Sequence, residues 1–239
     1  SMLKSSKLLS VFFLVVLLCA QSLASLASGP STIRSAGEKE TERINNAATM
    51  FDEIMKAPDK GVPGDLLETC AALILIPGVK KGAFIFGGEY GKGVMLVRNP
   101  DKSWNIPGFI RMDGGSVGFQ IGGQSIDVIL VVKNRKGIEK LTNNKFKLGA
   151  DASVAGGPVG RDAKANTDAQ MQAQILSYSR TQGAFAGVSL EGAALRLDDN
   201  SNKSVYGRAL KADDVLNPSS LKAPAAADEL YKVIKKYAK

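Results

Sequence analysis

The chain has 239 residues, with 31 Lys and Arg against 23 Asp and Glu, and it contains no histidine. The missing imidazole excludes Ser-His-Asp and Cys-His catalytic devices and His-ligated metal sites, so any enzyme here would work with carboxylates, Lys or Tyr. Aromatic residues are scarce and no Arg-rich or aromatic-interleaved stretch is present. This argues against a nucleic-acid reader and leaves the positive charge to attract anionic surfaces such as lipid headgroups.

The first residues have the layout of an export signal: Lys4 and Lys7, an uncharged apolar run from Leu8 to Cys19, then the small-residue sites Ser22-Leu23-Ala24 and Ser25-Leu26-Ala27. That run is shorter than the roughly 20 residues a spanning helix needs, so cleavage near residue 28 is expected. Ser1, ahead of Met2, reads as an expression scar. Cys19 sits where a lipidated Cys would, but Leu17 and Leu18 precede it where small residues are usual, so a lipid anchor is the lesser reading. Cleavage leaves 29 basic and 23 acidic residues, with Cys70 as the sole thiol and no internal disulfide. The expected location is the periplasm or the exterior, peripheral at the outer membrane. Residues 29–239 are expected to form a single domain.

Residues 35–57 predict an amphipathic helix. Ser35 and Glu38 have capping-box spacing, and Ile44, Ala47, Ala48, Phe51, Ile54 and Met55 share one face. The opposite face mixes both signs of charge, which favours packing on the domain over lying in a membrane surface. A short helix from Pro63 or Gly64 leads into an apolar strand, 71–76, closed by Pro77-Gly78. Strands are then expected at 83–90, 93–98, 116–121, 126–132, 145–153, 174–180, 185–190 and 193–197. Glycines at their edges mark tight turns, bulges and bent strands. Short helices are expected at 136–143 and 202–210. A last helix over 224–238 carries Leu230, Val233, Ile234 and Tyr237 on one stripe, with Lys232, Lys235, Lys236 and Lys239 about 200° away. That lysine row is either a contact for an anionic surface or the solvated back of a core-packed helix.

These elements predict an α+β fold: a strongly bent antiparallel sheet or incomplete β-barrel, with flanking N- and C-terminal helices. Four motifs invite chemistry. The run Gly87-Gly88-Glu89-Tyr90-Gly91-Lys92-Gly93 lacks the first Gly and the Ser or Thr of a phosphate loop, and lies between strands. The Asp198-Asp199-Asn200 cluster lacks the Gly and Glu of a calcium loop and reads as a polar turn. The loop Gly156-Gly157-Pro158-Val159-Gly160-Arg161 either binds an anion or is a structural turn. Glu191 ends an apolar strand, without the second placed carboxylate that a glycosidase pair needs.

An ordered set of motifs resembles the SYLF domain family over about residues 38–210. It comprises Ala72-Leu73-Ile74-Leu75-Ile76-Pro77-Gly78, Lys81-Gly82-Ala83-Phe84-Ile85-Phe86-Gly87-Gly88, Gly91-Lys92-Gly93-Val94 with Arg98, and Trp104-Asn105-Ile106-Pro107. Gly115-Ser116-Val117-Gly118-Phe119-Gln120-Ile121-Gly122, Gly149, Gly157-Pro158-Val159-Gly160-Arg161 and Ser177-Tyr178-Ser179 continue it. Gly183 to Gly192, then Asn202 before Tyr206-Gly207, complete it. The resemblance implies a non-catalytic lipid-binding module without a cofactor. Eukaryotic relatives bind phosphoinositide membranes and some bind actin filaments; exported bacterial relatives have no clear role. The expected partner is an anionic phospholipid surface rather than nucleic acid. Actin enters only by family analogy and does not suit an exported protein. Lys80, Lys81, Lys92 and Arg161 join Lys232, Lys235, Lys236 and Lys239 as candidate lipid contacts. The alternative is a small-ligand carrier or hydrolase with a pocket around Glu191, Arg161 and Tyr178.

Overall fold

The structure, a computed structural model, describes residues 37–57, 61–81, 89–114, 125–139, 146–160, 162–165, 167–181 and 183–238, without the side chains of residues 80, 81, 89 and 90. All of these belong to one unit, Ala36–Lys239. Helices α1 (Glu38–Lys56) and α2 (Gly64–Thr69) precede strands β1 (Ala72–Lys81), β2 (Glu89–Val97), β3 (Gly108–Asp113) and β4 (Ser125–Val132). Strands β5 (Phe146–Lys147) and β6 (Val154–Gly156), helix α3 (Asp168–Gln172), and strands β7 (Ile175–Thr181), β8 (Ala184–Gly187) and β9 (Ala194–Leu197) follow. Helices α4 (Asp199–Tyr206), α5 (Ala212–Leu216) and α6 (Ala226–Tyr237) complete the described chain.

The strands form one curled, open sheet in the order β5-β9-β3-β2-β1-β4-β7-β6, with β8 also on β7. The expected α+β half-barrel with a helix from each end of the domain is what forms. One pairing departs from the antiparallel expectation: β6 runs parallel to the first half of β7, while β8 runs antiparallel to its second half.

Both faces of the central strands β1 and β4 are buried, which explains their near-continuous apolar runs. On one face Leu73, Leu75, Val94, Leu96, Phe109 and Tyr178 pack beneath α1 and α6. On the other, Ile74, Ile76, Met95, Ile110, Met112 and Leu195 join Phe146 of β5, Val215 of α5, and Leu190 and Leu210 from connecting segments. Each fully buried Leu, Ile or Phe contributes about 1.5–3 kcal/mol, so these layers dominate the stability of the sheet.

The bend has a local cause. Strand β1 does not stop at Pro77-Gly78, as the sequence suggests; it passes through them as a bulge that shifts its register with both β2 and β4. Proline has no N–H to give a ladder and is tolerated at a bulge. The Gly78 N–H donates instead to Asp127 Oδ1 at 3.0 Å. Facing the bulge, a Cβ on Gly93 would lie 2.1 Å from the Leu75 carbonyl oxygen, so only glycine lets β2 follow the curve.

Other boundaries move for identifiable reasons. Helix α1 begins at Glu38, where Glu40 accepts from the Gly37 N–H at 3.2 Å; the expected cap Ser35 lies outside the described residues. Asp198 is more than a polar turn residue: it caps α4, accepting from Ser201 N and Oγ. The expected strand 145–153 is mostly turn, because its glycine and polar residues close a loop from Leu148 to Ala152. Strand β3 and helices α3 and α5 were not expected. The expected strand 116–121 and the body of 83–90 lie outside the described residues.

Candidate functional site

Helix α6 buries most of its apolar stripe, with Tyr237 half-buried at its end. Leu230, Val233 and Ile234 join the core, and Tyr237 meets Phe51 of α1 edge to face at 6.1 Å. Ile44, Ala47, Phe51 and Ile54 of α1 are consumed in the same layer. Among the described residues no helix is long and apolar enough to cross a membrane. Two lysines of the C-terminal row are engaged: Lys232 lies 3.5 Å from Glu229, and Lys236 donates to Asp52 at 3.0 Å. Asp52 also accepts from Tyr237 Oη at 2.7 Å and pairs with Lys56 at 2.8 Å. Hydrogen bonds from Lys56, Tyr237 and Lys236 hold the Asp52 carboxyl far below its usual range. Lys235 is exposed, and Lys239 lies outside the described residues.

A second group of cations lies on the same face of the sheet. Lys92 of β2 stands opposite Arg111 of β3, and Arg111 stands opposite Arg196 of β9. Their neighbours explain the direction. Arg111 alternates with Ile110 and Met112, and Arg196 with Leu195, all packed on the other face; Lys92 shares parity with Val94 and Leu96 under the helices. The three cations therefore form a rank across three adjacent strands, each step about 4.8 Å.

Two carboxylates sit within this rank. Asp113 pairs with Arg196 and lies 3.8 Å from Arg111 Nε. Asp198 pairs with Lys92 at 3.1 Å and with Arg43 of α1 at 3.2 Å. Burial opposes the charge of Asp198, but hydrogen bonds from Lys92 and Ser201 and the charges of Lys92 and Arg43 outweigh it, so its carboxyl titrates below its ordinary range. Arg43 also donates to Ser201 Oγ at 3.1 Å and lies 5.3 Å from the Phe109 ring centre, fixing α1 to α4 and β3.

Of the site residues named from sequence, only Lys92 falls in this rank. Arg111 and Arg196 were missed; the available signal was a lone Arg at an outward position of two short apolar strands, Phe-Ile-Arg-Met and Ala-Leu-Arg-Leu. The side chains of Lys80 and Lys81, and all of Arg161, lie outside the described residues.

The alternative pocket is not assembled by the described residues. Tyr178 is fully buried, stacked on Phe185 at 5.4 Å under the helices, whereas Glu191 is exposed on a turn after Leu190, which packs on the opposite face. Burial pushes the Tyr178 hydroxyl far up, making it a poor proton shuttle. Gly157 is needed for packing: a Cβ there would lie 2.1 Å from Tyr178 Cζ. An open cavity of about 510 Å³ lies elsewhere, between Met55, Val62 and Tyr237, with the carboxylates of Asp65, Glu68 and Asp162 and the Lys236 side chain along its lining. No metal-ligating cluster exists among the described residues.

Several motif residues are architectural. Asn202 forms two hydrogen bonds with the Phe109 backbone, accepting its N–H at 2.9 Å and donating to its carbonyl at 3.0 Å. Asn105 Nδ2 donates to the carbonyls of Asp214 and Val215, tying α5 down. Arg98 stacks 4.2 Å from the Trp104 ring centre and donates to the Cys70 carbonyl at 3.0 Å. Burial pushes the Cys70 thiol up, so it behaves as a small apolar side chain.

A family model described as "Ysc84: Las17-binding protein actin regulator" matches residues 113–237. The SH3 domain-containing protein PJ696.02 of Schizosaccharomyces pombe is 34% identical over 210 residues, covering 86% of this chain and 47% of that protein. The SH3 domain-containing YSC84-like protein 1 of Homo sapiens is 29% identical over 208 residues, 86% of this chain and 59% of that protein. The LAS seventeen-binding protein 3 of Saccharomyces cerevisiae is 32% identical over 179 residues, 74% of this chain and 39% of that protein. The chain thus spans about half the length of the curated relatives it matches.

Proposed function

Because this chain belongs to the Ysc84 (SYLF) family, we propose that it is a non-catalytic module that adsorbs to anionic lipid surfaces, with residues 1–28 directing it out of the cytoplasm. The observation that carries this reading is the exposed polar back of α6, with Lys232 and Lys235 facing solvent while the apolar stripe is sealed against α1. A surface contact through that back is electrostatic adsorption and needs no insertion of α1 or α6. Each lysine near an anionic leaflet contributes about 1 kcal/mol, so binding is weak, additive and screened by salt.

The descriptions of the family model and of one relative, an actin regulator and a LAS seventeen-binding protein, name binding and regulation, which fits a non-catalytic role. The Las17-binding and actin-regulator descriptions belong to the family model and to longer proteins of which this chain matches part; the export reading sets an anionic surface ahead of either partner.

Cosedimentation with phosphatidylserine vesicles at low salt tests the reading. Binding that disappears in high salt supports it; equal binding to phosphatidylcholine, or none to either, overturns it. Intact mass after expression with secretion tests the signal: loss of residues up to Ala24 or Ala27 is expected, and retention of Cys19 with added acyl mass would mean a lipid anchor.

A further inference from the structure

We propose that the cavity between α2 and the C-terminal ends of α1 and α6 is a binding site for a small organic cation, an ammonium group carried on an apolar body. The site is separate from surface adsorption and uses neither Lys232 nor Lys235, the lysines that carry adsorption.

The cavity has the size and the wall that an apolar body needs. Its volume of about 510 Å³ falls among those of sites that enclose a small molecule. Met55 and Val62 in its lining belong to the buried layer beneath the helices, and the half-buried Tyr237 borders the same layer. An apolar group entering here exchanges water for core side chains, and the flexible Met55 thioether adapts to its shape. Glycines keep the space open. Gly61 and Gly64 both line it, and a Cβ on Gly61 would already lie 3.3 Å from Met55 Sδ.

The charge around the opening selects a cation. Asp65, Glu68 and Asp162 line the cavity and are exposed, and their carboxylates have no hydrogen bond or ion pair among the described residues. Lys236 is the one cation among the described lining residues, and its charge is already matched. It donates to Asp52 at 3.0 Å and lies 4.8 Å from the Tyr237 ring centre. The backbone adds the same sign. Helix α1 is capped at Ala57 and α6 ends at Tyr237, where unpaired carbonyls carry the negative end of each helix dipole. The carbonyl oxygens of Ala57 and Tyr237 lie 3.7 Å and 3.9 Å from where a Cβ on Gly61 and on Gly64 would stand, so both border the cavity. On a chain of net charge +8, this is a local reversal of sign that turns anions away.

The cation is organic because of how the carboxylates are spread. A hard metal ion needs several oxygens converging on one point. No three acidic side chains of the described residues are grouped closely enough to hold one. Carboxylates dispersed around an apolar floor suit an alkylammonium instead, with its head at the exposed rim and its tail against Met55 and Val62. An exposed carboxylate contributes little alone. Binding therefore needs both halves of the ligand: charge without a body gains no burial, and a body without charge gains no attraction to the rim.

Isothermal titration calorimetry of the full chain with octylammonium, kept below micelle formation, tests the site. One-to-one binding is expected, at least about tenfold tighter than that of octanoate, octanol or methylammonium. Glu68→Gln and Asp162→Asn should each weaken it roughly two- to fivefold without moving the melting temperature, since both carboxylates are exposed. Gly64→Leu should abolish it by filling the space; a Cβ there meets nothing nearer than 3.9 Å, so the fold is expected to stand. Lys232→Gln should leave it unchanged. No binding of octylammonium, or octanoate binding equally well, would overturn the site. So would full affinity in a Gly64→Leu chain that melts normally. Should that chain melt early, the two charge variants decide, and unchanged affinity in both overturns the site. Each of these failures leaves adsorption to anionic vesicles standing, and a failure of adsorption leaves the cavity standing.

Discussion

The back of α6 and the rank across β2, β3 and β9 hold similar numbers of cations in very different ways. On α6 the lysines are flexible stems on a helix surface, one paired with Glu229 and one latched to Asp52. In the rank, the charges stand on strands hydrogen-bonded from both sides, and two of the three are guanidinium groups. The difference teaches that counting positive residues does not count available charge: a lysine on a flexible stem follows an anionic surface, whereas a cation fixed on a strand and shared with a carboxylate serves the fold. One region supplies affinity for any anionic surface; the other ties α1 and α4 to the sheet.

The largest expected effect asks whether α6 is core or a detachable membrane helix. Phe51→Ala should cost about 3–5 kcal/mol in urea unfolding, because the ring is fully buried between the helices and the sheet. A loss under about 1 kcal/mol would mean that the helices are not integral to the fold and would blur the contrast. Next comes the support of the rank. Asn202→Ala should cost about 2–3 kcal/mol by leaving the Phe109 N–H and carbonyl unpaired. A cost below about 1 kcal/mol would mean that β3 keeps its place without those two bonds.

The lysines of α6 come third. Lys232→Gln and Lys235→Gln should each lower vesicle partitioning about fivefold at low salt, additively and irrespective of headgroup. A headgroup-dependent effect would make the helix a recognition element and collapse the distinction. The smallest effect is at Asp52. Its depressed carboxyl contributes stability that is whole above the unfolded value near pH 4 and is lost as pH falls below it. Asp52→Asn should cost about 1 kcal/mol at neutral pH, since its partners Lys56 and Lys236 are largely exposed, and should flatten the acid limb of a thermal melt. An unchanged acid limb would show that Lys236 is free for the membrane after all.

What could be read from sequence follows from what is local. The two terminal helices announce themselves through 3.6-residue spacing, and β1 and β4 through uninterrupted apolar runs. Gly91 and Gly93 signalled the bend: a Cβ on Gly93 would meet the Leu75 backbone, and one on Gly91 would meet the Ile76 and Val79 side chains. Strand β3 escaped notice because its pattern is short and starts on Gly108, after a proline. The rank escaped because it is a matter of register: Lys92, Arg111 and Arg196 are far apart in the chain, and only pairing across two ladders makes them neighbours. The pocket expected around Glu191 and Tyr178 failed for a related reason, since residues on adjoining segments can belong to opposite faces of one sheet.

The bulge at Pro77-Gly78 has a consequence for the chain before it folds. Ala72-Leu73-Ile74-Leu75-Ile76 is an uncharged stretch of strong strand formers, the composition that drives stacking of identical segments into fibrils. Pro77 ends that stretch at once, and a residue that cannot donate to a ladder interrupts propagation between chains. The kink that curls the sheet in the native state thus doubles as a gatekeeper against aggregation while the central strand waits for β2 and β4.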